Sequence, residues 1–440
     1  MRDLSLIAFL FTLILFGMKR PFLFVLAYAY VDIVSPQRLS YYLLNAIPVS
    51  LICFVFAVGG WLFIDDKKGT RVAPRQWLLI ALLMWVAYTT HTAVLYESAI
   101  SKWDWVWKAL VFAIFLPFTL RTKLRMEALL LFMTLSAASI IIVGAIKTLA
   151  SGGGYGTLNL MIENNSGLYE GSTISTVAIA MVPLVLYLSK HITIFPADHR
   201  ARIFGLALAG ACLLIPIGTE TRTGLLCIAL LGILMLRATK RRVLYIGLIT
   251  AVTLITVPLL PESFSNRMDK IQGYQSDASA STRIAVWKWT IEYVADHPLG
   301  GGFEIYRLNR MTVALRDKDS DPNNATITTH TQEGRAFHSA YFEVLGEQGL
   351  PGFFLWGMFH LSGLVGMEMI RRRYIKSTDP GEAWIAPLAT ALQHGQLIYL
   401  LGAAFIGVAF QPFIFMLLGV QIALGTYCKR HPPTIAKATA

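Results

Sequence analysis

One histidine, three arginines and an acidic string are the side chains in this sequence with the most direct chemical potential. His338 stands in Arg335-Ala336-Phe337-His338-Ser339-Ala340-Tyr341, after a polar stretch and where a helix is expected to begin. An imidazole in such a place titrates near neutral pH and can serve as a general base, or it can be a hydrogen-bonded structural residue. Arg222 opens the apolar run Arg222-Thr223-Gly224-Leu225. There a guanidinium joins the free N–H groups and positive dipole end of a helix N-terminus, a combination that suits phosphate, although a snorkelling interfacial arginine looks the same. Arg283 begins a second helical stretch, and Arg38, in Ser35-Pro36-Gln37-Arg38, is one of few cations in its neighbourhood. The string Asp317-Lys318-Asp319-Ser320-Asp321 suggests a metal, but a calcium loop needs Gly at its sixth position and Glu at its twelfth. Those places hold Pro322 and Thr328, so the string reads as a solvated flap. Cys53, Cys212, Cys227 and Cys428 lie in or beside apolar runs without paired spacing, and read as small apolar residues rather than a disulfide or zinc set.

The elements that must position these groups are set by composition. The 440 residues are 55% hydrophobic and only 15% charged, against about 25% in soluble domains. Mean hydropathy is +0.57. A soluble globular enzyme and a disordered chain are excluded, and an all-α polytopic membrane protein is expected. The net charge of +12 fits cytoplasmic Lys and Arg better than a nucleic-acid footprint. Apolar runs long enough to span occur at 43–64, 77–96, 105–120, 126–147, 172–189, 203–219, 222–237, 243–260, 351–370, 385–408 and 411–428. The stretch 4–34, broken by Lys19-Arg20-Pro21, adds one pass or two, so about 12 transmembrane helices are expected, with 13 possible. No A-x-A-like cleavage site follows the first 18 residues.

Alternate loops are rich in Lys and Arg: around Lys67-Lys68, Arg121 to Arg125, Lys190 to Arg202, Arg237 to Arg242, Arg371 to Lys376, and Lys429-Arg430. The positive-inside rule makes these loops and the C-terminus cytoplasmic. The opposite side then receives 35–42, 97–104, 148–171, Glu220-Thr221-Arg222 and the long segment 261–350. Connections of that length are uncommon unless functional. The chain therefore divides into an N-terminal transmembrane bundle (1–260), a loop domain (261–350), and C-terminal transmembrane helices with a tail (351–440). Within the loop domain, Ile284, Trp287, Ile291 and Val294 fall at helical spacing, so 282–296 is expected to be an amphipathic helix. Gly300-Gly301-Gly302 makes a turn, 311–335 reads as a mobile flap, and a second helix starts near Phe337 and stops at Gly349-Leu350-Pro351-Gly352. Trp103, Trp105 and Trp107 read as an interfacial aromatic belt, or else a platform for lipid or sugar. His91, His360 and His394 lie within spans that hold almost no Asp or Glu, which speaks against a proton-coupled transporter.

One ordered combination is more specific than any of its pieces. An Arg-Thr-Gly helix at 222 precedes a long loop carrying Ser281-Thr282-Arg283, Trp287 and Pro298-Leu299-Gly300-Gly301-Gly302-Phe303, and the loop closes with His338 through Gly352. Over roughly 218–370 this resembles the O-antigen ligase and O-antigen polymerase superfamily of bacterial inner-membrane glycosyltransferases, with the ligase branch favoured. Ser339 departs from the pattern, since the family commonly has Asn after the histidine.

The resemblance implies an enzyme of the bacterial inner membrane, multi-pass, with its active site facing the periplasm and its C-terminus in the cytoplasm. The implied donor is a polysaccharide on undecaprenyl diphosphate, and the implied acceptor is a sugar of lipid A–core oligosaccharide. Membrane lipids surround it and no nucleic acid is involved. His338 would be the general base; Arg222, Arg283 and, more weakly, Arg38 would hold the diphosphate. With no convincing metal motif in the loop, no cofactor is expected and the transfer would be a metal-independent inverting displacement. The rival readings are an O-antigen polymerase joining lipid-linked repeat units and a lipid-linked glycan flippase or exporter.

Overall fold

The computed structural model of the chain describes residues 2–40, 43–44, 47–68, 70–151, 167–237, 278–316 and 327–434. The expected span at 243–260 and the string Asp317 to Asp321 lie outside them. Every other apolar run becomes a helix. In chain order these are α1 (Arg2–Gly17), α2 (Phe22–Val34), the single turn α3 (Pro36–Leu39), α4 (Val49–Phe63), α5 (Pro74–His91), α6 (Tyr96–Thr119) and α7 (Lys123–Ser151). Then follow α8 (Gly171–His191), α9 (His199–Gly218), α10 (Arg222–Arg237), α11 (Ala278–Asp296), α12 (Ala340–Tyr374), α13 (Ile385–Ala403) and α14 (Pro412–Arg430).

The fold is essentially all-α and membrane-embedded. Five helices, α7, α8, α9, α12 and α14, are long and apolar enough to cross a membrane among the described residues. The expected twelve are not established by that measure; α1, α2 and α4, for instance, are apolar but only 16, 13 and 15 residues long. The break at Lys19-Arg20-Pro21 resolves into two separate helices, α1 and α2. The core centres on α8, nearly all of whose residues are buried, with α9, α10 and α13 packed around it. Helix α12 lies against α5 and α13, α14 against α6, and α2 against α4 and α7.

Two sequence expectations change. Residues 97–104 are not a loop but the first turns of α6, because their polar side chains repeat at helical spacing along one face. The flap expected at 311–335 contains two antiparallel strands, β1 (Arg310–Arg316) and β2 (Ile327–Glu333), registered Arg310 to Glu333 through Arg316 to Ile327. The period-2 alternation of Met311, Val313 and Leu315 carries that signal, and β-branched Thr328, Thr329 and Thr331 support it. The hairpin, α11 and a 3-10 turn at Ile305–Leu308 share a small core of Val286, Ile305, Met311 and Phe337.

What fastens these outer elements to the bundle is a break in α12. Gly349 has φ 63° and ψ −168° and divides the helix in two. Such a break leaves the preceding carbonyls without intrahelical donors. Gly301 N donates to Gly346 O at 3.1 Å, Gly302 N to Glu347 O at 2.9 Å, and the Trp85 indole of α5 to Gln348 O at 2.8 Å. Leu350 N returns a bond to Pro298 O at 2.9 Å. A Cβ on Gly349 would overlap the backbone of Pro298 and Leu299, so the triple-glycine turn lies directly on the break. Beside it, Lys102 of α6 reaches Glu343 Oε1 at 2.6 Å and Glu347 Oε1 at 2.8 Å, with side chains 11%, 8% and 0% exposed. Glu347 Oε1 also accepts from Glu304 N at 2.9 Å, and Glu343 Oε2 from Ala409 N at 3.2 Å.

Removing one member of a buried ion cluster typically costs about 3–5 kcal/mol, because the partner charges stay buried. Lys102→Met should therefore lower the melting temperature of the detergent-solubilised protein far more than Ser101→Ala, and Gly349→Ala should do the same by collision. Equal melting of Lys102→Met and Ser101→Ala would show that the lysine does not hold the two halves together.

Candidate functional site

A cavity of ≈ 1190 Å³ opens where the outer elements meet the bundle. Each wall comes from a different element. The end of α2 and the α3 turn bring Asp32 and Arg38, one face of α6 brings Glu97 to Lys108, and the start of α8 brings Ser172 and Thr173. Arg283 enters from α11, Glu304 and Arg307 from the turn after the triple glycine, and Phe337 and His338 from the segment before α12. The stretch Ile406 to Pro412 closes the remaining side.

Three of the four sequence-predicted residues converge here. His338, Arg283 and Arg38 all line the cavity. Arg222 does not: it begins α10 at the same end of the bundle, behind the first turns of α8. Its turn is fixed by hydroxyls, Thr221 Oγ1 to Ser175 Oγ at 2.9 Å and Ser175 Oγ to Thr219 Oγ1 at 2.8 Å. Ser175 lies one helical turn below the cavity-lining Ser172.

The segment carrying His338 is held from both sides. Asn309 makes a two-point clamp on Arg335, Nδ2 to its carbonyl at 2.7 Å and Oδ1 from its amide at 2.9 Å. The Trp287 indole donates to Phe337 O at 2.8 Å, and its ring stacks on Phe342 with centroids 4.9 Å apart. So fixed, His338 adopts a left-handed conformation with φ 47°. That conformation costs a non-glycine residue of order 1–3 kcal/mol and persists only where surroundings impose it. Two more cavity-lining residues share it, Ser35 at φ 51° and Glu304 at φ 63°. Among the described residues only Glu220 is also non-glycine with positive φ. Strain thus concentrates around this cavity.

The environment keeps His338 neutral. Its ring is reachable from the cavity but hemmed in by protein, and this partial desolvation, more than any other cause, pushes its pKa below the usual histidine value. The charge of Arg283 pushes the same way, Glu170 opposes it, and Arg335 adds a smaller push downward. Glu170 itself is anchored as the N-cap of α8, accepting from Ser172 N at 3.0 Å and Thr173 N at 2.6 Å. A neutral imidazole near the Arg283 guanidinium, in a cavity that Arg38 also lines, can take a proton while the cations receive developing negative charge.

Sequence reasoning missed Lys102, Glu343 and Glu347, which hold the cavity's floor, and Glu170, which faces the histidine. Glu343 and Glu347 stood four apart in the closing motif, a spacing that puts both carboxylates on one helix face. Nothing local ties Lys102 to them, since 241 residues separate it from Glu343.

Residues 206–357 match the family model described as O-antigen ligase. Residues 1–193 match a family of unknown function. No curated protein matches the chain. Both matched segments contribute to the cavity: Arg283 and His338 lie in the second, Arg38 and Lys102 in the first.

A base with a lowered pKa works at lower pH, so the acidic limb of any His338-dependent activity should fall below ~6.5. Arg335→Gln removes a cation that lies outside the cavity lining, and should move that limb upward toward ~6.5 without loss of the maximum rate. A limb that does not move, followed across the pH range with both proteins, would detach the titration from His338.

Proposed function

With residues 206–357 belonging to the O-antigen ligase family, we propose that the protein transfers O-antigen polysaccharide from undecaprenyl diphosphate to a sugar of lipid A–core oligosaccharide. The observation that carries the reading is the meeting of His338, Arg283 and Arg38 in one cavity at the end of a membrane-embedded bundle. His338 takes the proton of an acceptor hydroxyl as its oxygen bonds to the anomeric carbon. The bond from that carbon to the phosphate oxygen breaks, and the lipid diphosphate leaves with the electron pair. Arg283 and Arg38 receive the charge that builds on it, through the forked contacts that suit phosphate. Attack opposite the leaving group inverts the anomeric carbon. In this reading the cavity faces the periplasm of the bacterial inner membrane, where lipid-linked glycans are displayed, and the basic loops and C-terminus are cytoplasmic. Arg222, which does not line the cavity, contributes less than the other two arginines.

General-base assistance is worth about 10²–10⁴-fold in rate, and His338→Ala should lose that much transfer while inserting normally. Arg283→Lys should recover little, because lysine lacks the fork, and Arg222→Ala should retain more activity than Arg283→Ala. Transfer should continue in excess chelator; inhibition reversed by magnesium would replace the arginine mechanism with a metal one. Lipopolysaccharide gels of a deletion strain separate the branches. Core-only lipopolysaccharide with long lipid-linked chains marks a ligase, core plus one repeat marks a polymerase, and glycan trapped on the cytoplasmic face marks an exporter.

Orientation has its own test. Lys288 projects from α11 with its side chain 78% exposed. In a cysteine-free background, Lys288→Cys should react with an impermeant maleimide once the outer membrane is permeabilised. Reaction only after the inner membrane is lysed would invert the topology and remove the periplasmic site.

A further inference from the structure

One wall of the cavity takes no part in the proposed proton transfer or diphosphate contacts. Helix α6 presents Glu97, Ser101, Asp104, Trp105 and Lys108 to the cavity. Spacings of four, three, one and three residues place them on a single stripe of the helix. The three tryptophans of this stretch diverge. Trp103 packs against the bundle core, and Trp107 meets Phe54 edge-on at 6.1 Å. Trp105 alone of the three lines the cavity, 42% exposed. An interfacial belt would turn all three toward lipid; here the middle indole lines the cavity instead. The stripe is also polarised in charge. Asp104 is open to the cavity and holds Lys108 Nζ at 3.1 Å, so that cation is already engaged, while Glu97 is exposed.

We propose that this stripe is a subsite for an uncharged, hydroxyl-rich sugar ring. The face of a pyranose is a patch of C–H bonds that lies flat on an indole, and its rim is a ring of hydroxyls that each donate and accept hydrogen bonds. Trp105 supplies the platform, the carboxylates of Glu97 and Asp104 accept from hydroxyls, and Ser101 can do either. The same carboxylates repel phosphate, which keeps the diphosphate on the cationic wall of Arg38 and Arg283 and leaves this wall to sugar. The subsite rests on the glycosyl-transfer reading for its biological setting. The ring belongs either to the donor glycan or to the acceptor oligosaccharide, which share this chemistry.

Saturation-transfer NMR on the purified full-length protein tests the subsite without requiring turnover. The probes are the glycan released by mild acid from the lipid-linked donor, and the core oligosaccharide released from lipopolysaccharide. One of them should bind the native protein, and which one names the source. Trp105→Ala should weaken that binding about tenfold or more, while Trp105→Tyr, which keeps a flat aromatic face, stays within about threefold. Lys288→Gln, exposed on α11 outside the cavity lining, should bind as the native protein does, and an unchanged melting temperature for Trp105→Ala excludes unfolding as the cause. If neither glycan binds the native protein, or Trp105→Ala binds like it, the subsite is wrong. If Trp105-dependent binding is present but His338→Ala still transfers glycan at the native rate, the base assignment falls and the subsite stands.

Discussion

A lysine buried between two glutamates governs this structure. Charges removed from water persist only when paired and hydrogen-bonded, and Lys102, Glu343 and Glu347 satisfy each other across elements that are remote in sequence. Glu347 Oε1 also accepts from the backbone amide of Glu304, and the second Glu343 oxygen accepts from that of Ala409, so the same cluster fixes the turn after the triple glycine and the segment before α14. Gly349 makes this possible: by breaking α12 it releases carbonyls that the glycine turn then occupies. Bundle and outer elements are joined by these paired polar groups together with apolar packing of Phe303 against Phe410, and the cavity forms beside that joint.

The joint accounts for the precision of the site. Arg38, Arg283 and His338 reside on three different elements that are remote from one another in the sequence. Held by the Asn309 clamp and the Trp287 indole, His338 keeps a conformation it would not choose alone. Backbone strain of this kind is retained where the surroundings over-determine it, and its clustering in Ser35, Glu304 and His338 sets this cavity apart from the rest of the described chain.

Much of this was legible in the sequence, for identifiable reasons. Apolar runs of spanning length, the helical spacing of Ile284, Trp287, Ile291 and Val294, and the glycine turn are local signals, and α11 and the turn at Gly300 to Gly302 follow them. Arg283 and His338 were legible because they stand in an ordered motif. The fastening of Lys102 was not, because pairing across 241 residues leaves no periodic trace. The direction of Trp105 was hidden for a related reason: a tryptophan near an interface looks the same whether lipid or a cavity lies before it. The strands at 310–316 and 327–333 were obscured by their polar composition, although their alternation was present.

The size of the cavity has a consequence for the polymer. At ≈ 1190 Å³ it only slightly exceeds the ~300–1,000 Å³ typical of small-molecule sites. Under the proposed reaction, that is room for a diphosphate and the few rings on either side of the bond being exchanged. In that reaction, rings farther along the glycan lie beyond the described lining of this cavity, which makes no contact that could register how long the chain is. Under the proposed reaction the protein inspects a junction, and treats short and long chains alike. The distribution of chain lengths must then be decided before the glycan arrives here, by whatever elongates it.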